Sequence, residues 1–163
     1  MAYLPMNWQG FLSSSWYQYL DDDHQAIVRT AIKLAENEDL IGQLEDYSFI
    51  VFLFAKAYEA FLKTYLLNLN LIDENLYNSK KFRIGRALNP DVSANHRDEW
   101  WLYDDVSRQC GETVAHSLWL AWLEGRNRVV HSFPGEDPLY SWEKTKKKIT
   151  IITEAMAVAA GCE

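Results

Sequence analysis

The stretch LEDYSFIVFLFAKAYEAFLKTYLLNL, residues 44–69, decides the fold. Tyr47, Val51, Phe54, Tyr58, Phe61, Leu62, Tyr65 and Leu69 recur at spacings of three and four, which places eight bulky apolar side chains on one stripe of a helix. A stripe that wide and aromatic needs other elements around it. The spacing predicts a central core helix from about Leu44 to Leu69.

Upstream, Asp21-Asp22-Asp23 can cap a first helix running to about Glu36, with Ile27, Ala31, Leu34 and Ala35 inward. Downstream, residues 68–78 are rich in turn formers. A short helix is expected over Lys80 to Leu88, stopped by Asn89-Pro90. His96 to Gln109, with Trp100, Trp101, Tyr103 and Val106, reads as a further helix. From Glu112 the 3.6 period returns in Val114, Leu118, Ala121, Trp122, Gly125 and Val129, until Ser132-Phe133-Pro134-Gly135 ends it. Asp137-Pro138 is expected to open a last helix with Trp142, Ile149, Ile152 and Met156 inward. There is no internal repeat, low-complexity tract or useful run of period-two alternation. The expected fold is an all-α bundle of about five helices in a single domain over residues 1–163, with 1–20 an N-terminal extension and 21–160 the bundle.

Composition agrees. At 163 residues, 48% apolar and 14% aromatic, the chain can bury a core of its own, and seven tryptophans suggest that some serve an interface. Cys110 and Cys162 lie far apart and form neither a CxxC pair nor a disulfide framework, which fits a reducing cytoplasm. The N-terminus MAYLPMNWQGFLSSSW lacks the basic start and apolar core of a signal peptide, and no apolar run reaches the roughly eighteen residues of a membrane span. Secretion and membrane insertion are therefore not expected.

A net charge of −7 argues against a protein that coats nucleic acid by bulk electrostatics, yet leaves room for a local site. Basic residues gather at Lys80-Lys81-Phe82-Arg83 with Arg86, and at Lys144 with Lys146-Lys147-Lys148. A solvated helix face is the ordinary reading of such runs.

RNRVVHSFPG, residues 126–135, carries the chemistry. Arg126 offers a planar fork of donors matched to phosphate oxygens, Asn127 a carboxamide, and His131 a side chain that can take or give a proton near neutrality. On an ideal helix positions 127 and 131 share a face, whereas 126 and 131 stand about 140° apart. Ordinary roles exist for each: Arg126 can pair with Glu124 or an acid on another helix, Asn127 can cap the helix end, and His131 suits a helix C-terminus when charged. Glu59, inside the aromatic helix, is a second polar candidate, with a solvent-facing glutamate the ordinary alternative. His24, His96 and His116 lack metal-ligand spacing, so no metal is expected. No phosphate loop, nucleophile elbow or nucleotide-binding glycine pattern is present.

The order of the aromatic helix bearing AYEAFLKTYL, a helix-breaking middle, and a penultimate helix ending in RNRVVHSFPG resembles the HEPN superfamily of small helical bundles over roughly residues 21–160. The family pattern is Arg, four to six residues, then His, commonly with a polar residue after the Arg; Arg126, Asn127 and His131 fit it. The resemblance implies metal-independent RNA cleavage, without a cofactor, at a site where two protomers pack their motif helices together. It implies catalytic roles for Arg126, Asn127 and His131 in a cytoplasmic toxin or defence effector controlled by an antitoxin or other regulatory protein. Arg128, Lys146, Lys147 and Lys148 would then bind the RNA. In the subgroup with an Arg-x4-His-x-Tyr motif the tyrosine is modified by the antitoxin; here that position is Phe133, which puts that control in doubt. The alternative is a noncatalytic HEPN-type protein-interaction or nucleotide-binding module.

Overall fold

The computed structural model describes residues 6–162; Met1 to Pro5 of the N-terminal extension and Glu163 lie outside the described residues. Two 3-10 turns, Gln9–Ser13 and Ser15–Tyr19, lead into α1 (Asp22–Ala35) and α2 (Ser48–Asn68). The short α3 (Glu74–Tyr77) and α4 (Ile84–Ala87) follow, then α5 (Tyr103–Cys110) and α6 (Glu112–Trp122). Leu123–Asn127 continues α6 as a π-helical segment, α7 (Arg128–Val130) ends that run, and α8 (Trp142–Ala160) closes the chain. No strand occurs among the described residues, so the architecture is all-α.

The core is built around α2, whose predicted stripe from Tyr47 to Leu69 is buried throughout. Helices α1 and α8 and the π-helical segment pack against it, and α6 packs on α8. Asp21 caps α1, its carboxylate accepting the His24 N–H at 2.9 Å, and the buried face of α1 centres on Val28, Ala31, Ile32 and Ala35. Ile27 and Leu34 lie at its margins, half-buried.

One set of hydrogen bonds accounts for two shifted helix starts. The Tyr47 N–H donates to the Tyr140 carbonyl at 2.9 Å, and the Asp46 carboxylate accepts both the Tyr140 N–H at 2.9 Å and the Ser48 hydroxyl at 2.6 Å. These bonds hold residues 46–47 beside Tyr140, so α2 starts at Ser48 rather than Leu44. They also hold Tyr140 out of the last helix. Ser141 therefore caps α8, which starts at Trp142 rather than at Asp137-Pro138.

The helix expected over Lys80 to Leu88 shrinks to the single turn of α4, because Ser79 first accepts the Lys81 N–H in a local turn. Of the His96 to Gln109 region only Tyr103 onward is α-helical. Asp98 accepts the Trp100 N–H there and holds the preceding residues in a bend.

The turns before α1 contribute to the core: Trp16, Tyr17 and Leu20 are buried, and Trp8 stacks on Trp142 at 5.9 Å between ring centroids. Phe11 meets Phe54 edge-on at 5.8 Å, and Tyr19 lies 5.1 Å from Phe61. Of the seven tryptophans only Trp100 counts as exposed.

The expectation for the cysteines is overturned. Cys110, at the end of α5, is disulfide-bonded to Cys162 just beyond α8, with Cα atoms 5.7 Å apart. Sequence distance concealed this pair because the bundle returns the end of α8 to the end of α5. The bond removes the cysteine argument for a reducing compartment. Among the described residues no helix is long and apolar enough to cross a membrane.

Candidate active site

The motif sits where the α-helical winding is broken. Gly125 lies against α8 so closely that a Cβ there would stand 2.5 Å from Ile152 Cγ1. The chain turns with a wider, π-helical winding over Leu123–Asn127, returns to α-form for Arg128–Val130, and leaves the helix at His131, whose φ of −111° and ψ of 141° are extended. Two bonds fix this exit: the His131 N–H donates to the Asn127 carbonyl at 3.0 Å, and the Tyr140 hydroxyl donates to the Arg128 carbonyl at 3.0 Å. Burial pushes the Tyr140 phenol above its ordinary range, with Glu124 and Glu136 adding to the effect, so it stays protonated and keeps donating this hydrogen bond.

Ideal helix angles therefore do not describe the motif. Arg126 and Asn127 both line an open cleft of about 530 Å³, together with Glu59, Lys80, Arg83 and Trp119. His131 is exposed beyond the helix end, its ring edge-on to Phe133 at 6.5 Å, and is not among the residues of that cleft. One chain brings Arg126 and Asn127 together and leaves His131 apart.

The guanidinium of Arg126 lies over the Trp122 ring, 4.9 Å from its centroid, and 3.6 Å from a carboxylate oxygen of Glu59. Trp122 is itself seated on Gly85, where a Cβ would come within 2.2 Å of the indole nitrogen. Glu59 is thus a wall of the cleft as well as partly solvent-facing. The Asn127 side chain has no hydrogen-bond partner among the described residues, so its amide is available to a ligand.

Glu124, one expected partner of Arg126, is taken by other cations. It accepts from Arg128 and from Lys148, while Lys146 pairs with Glu143. Arg128 also stands 3.8 Å from Glu136. Of the residues expected to bind RNA, Arg128, Lys146 and Lys148 are therefore committed to carboxylates of the same chain, and Lys147 also has an interaction within the fold. By contrast Lys80 and Arg83 make no ion pair with the described residues, whereas Arg86 is held by Asp98 at 2.6 Å and by the His96 carbonyl. The basic cluster around Lys80 was visible in the sequence; its convergence on Arg126 was not, because α4 reaches the motif through tertiary packing.

Among the described residues no group of three or more His, Cys, Asp and Glu side chains is arranged to hold a metal ion. His24 instead pairs with Asp21 at 2.7 Å, and His96 bonds the Ser93 hydroxyl at 2.8 Å. Comparison of the chain with protein-family models, curated proteins and solved structures returns no match.

Proposed function

We propose that this chain is a metal-independent endoribonuclease of the HEPN type, working as a homodimer in a toxin or defence role. The observation that carries the reading is the division of the motif: Arg126 and Asn127 line a cationic cleft, while His131 stands exposed outside it. A cleft between two antiparallel copies can supply what one copy lacks. Exposed apolar positions along and just beyond the motif run suit such a contact. Leu120, Val130 and Phe133 are exposed apolar side chains.

In this reading His131 takes the proton of a ribose 2′-hydroxyl, and the same residue of the second copy delivers one to the departing 5′-oxygen. The 2′-oxygen attacks phosphorus, the bond to the 5′-oxygen breaks, and the products are a 2′,3′-cyclic phosphate and a 5′-hydroxyl. Arg126 holds the nonbridging oxygens as negative charge grows on them, and Asn127 positions the phosphate. DNA resists because it lacks the internal nucleophile.

The proximity of Glu59 to Arg126 favours a second reading, in which the same cleft binds nucleotides or a partner without cutting. One assay separates the two. Labelled single-stranded RNA and its DNA counterpart are incubated with the protein in EDTA, alongside His131→Ala. RNA-only cleavage that leaves cyclic-phosphate ends and vanishes in the variant is expected; intact RNA at every salt and pH tested rejects the nuclease.

A further inference from the structure

A second open cleft, of about 800 Å³, adjoins the first, with Glu59 lining both. It lies between the start of α1, the outer face of α2 and α3, and Lys56, Lys63, His24 and Tyr77 stand in its walls. Lys56 and Lys63 are seven residues apart on α2, two turns along one face, which sets them about 10.5 Å apart along the axis. With Glu59 common to both, we treat the two clefts as one groove, the Arg126 cleft at one end and the cleft of Lys56 and Lys63 at the other.

The groove is basic overall, with six Lys and Arg side chains against two carboxylates. In a protein of net charge −7, Lys56 and Lys63 in the second cleft and Lys80 and Arg83 in the first make no ion pair with the described residues. The cations on the α8 side, Arg128, Lys146 and Lys148, are neutralised within the fold. The groove also contains two acids, Asp21 and Glu59, and each faces a basic group: Asp21 bonds the His24 ring and Glu59 stands beside Arg126. Tyr77 and Trp119 are half-buried aromatic side chains in its walls. Spaced cations that track a backbone, with aromatic faces between them, are what a single strand of nucleic acid requires. A duplex is wider and hides its base faces.

We propose that this groove binds a single-stranded RNA segment, with Lys56 and Lys63 holding phosphates on one side of Glu59 and Lys80 and Arg83 on the other. This assignment rests on the reading of the Arg126 cleft as an RNA site, and it moves the binding surface from the α8 lysines to the α2 face.

The test measures fluorescence anisotropy of a labelled single-stranded RNA across a salt series, with His131→Ala as the background so that the RNA stays intact. Lys56→Glu, Lys63→Glu and Lys33→Glu alter net charge equally, but Lys33 is exposed on α1 and is not among the residues of the groove. Circular dichroism establishes that each variant is folded. Lys56→Glu and Lys63→Glu are expected to weaken binding roughly tenfold. Each should also reduce the salt slope of log affinity by about 0.7, the value for one lost phosphate contact on a single strand. Lys33→Glu should do neither. Equal effects of all three substitutions overturn the groove while leaving the nuclease reading to its own assay. Selective loss in a protein that never cuts RNA retains the groove and rejects the nuclease. No binding by the background protein at any salt overturns the groove outright.

Discussion

The Tyr58 hydroxyl, buried in the middle of α2, donates to the Leu118 carbonyl 2.7 Å away and ties the central helix to α6 one turn before the π-helical segment begins. The bond sets the level at which the motif run crosses α2. One residue beyond Tyr58, Glu59 faces Arg126, so the same stretch of α2 carries both a core fastener and a wall of the site.

Tyr58→Phe keeps the ring and removes the bond. Loss of one buried hydrogen bond, with the Leu118 carbonyl keeping its donor within α6, costs about 0.5 to 1.5 kcal/mol. Urea denaturation should show a lower midpoint with an unchanged slope, and the variant should also bind RNA more weakly as Arg126 loses its register with Glu59. A midpoint equal to wild type would show that Leu118 does not depend on this hydroxyl.

The tyrosines set an alkaline limit. Burial raises Tyr58 well above its ordinary value of 10.0, with Tyr65 adding repulsion, and burial raises Tyr65 and Tyr103 to about 12. A phenol whose folded pKa exceeds its unfolded one leaves stability intact below about pH 10, where both states are protonated. Above that, the unfolded chain releases the proton first, and stability falls until the folded pKa is passed. Urea midpoints measured from pH 9 to 11.5 should decline, and Tyr65→Phe should decline less steeply by having one such group fewer.

Gly125 brings the backbone of the motif run into close contact with α8. Gly125→Ala drives a methyl into Ile152 and should cost about 1 to 3 kcal/mol by overpacking. Ile152→Ala makes room but opens a cavity of its own, so the double variant should lose less than the sum of the two singles. A double-mutant cycle by urea denaturation measures that coupling; additive losses would mean that the two residues do not press on each other.

Legibility in the sequence followed periodicity. The α2 stripe was readable because Val51, Phe54, Tyr58 and Phe61 repeat at helical spacing, and every one of them is buried. The starts of α2 and α8 were not, since they depend on hydrogen bonds between Asp46 or Tyr47 and Tyr140, more than ninety positions away. At the site, Arg126 and Asn127 could be named from residue chemistry alone. Their cleft could not: it requires Gly85 to seat Trp122 and the π-helical turn to change the angle from Arg126 to His131, neither of which has a local signature. The carboxylate partners of Lys146 and Lys148 on α8 were hidden for a related reason. These acids, Glu143 and Glu124, are brought to the lysines by helix pitch and helix packing rather than by adjacency in the chain.

Cys110 and Cys162 were unreadable as a pair on the same grounds, and their bond gives the last prediction. It closes a loop of 52 residues that contains α6, the motif and α8. Cross-linking a loop of that length restricts the unfolded chain, and its removal should cost between about 2 and 4 kcal/mol. Cys162→Ser, or the wild type in dithiothreitol, should therefore unfold at lower urea, while Cys162→Ser should itself be insensitive to reductant. Arg126 and His131 both lie inside the closed loop, whereas Lys56 and Lys63 lie outside it. If the bond chiefly restrains the unfolded chain, RNA affinity measured well below the unfolding midpoint should be the same with and without it; a drop in affinity on reduction would mean instead that the bond holds the motif run in place.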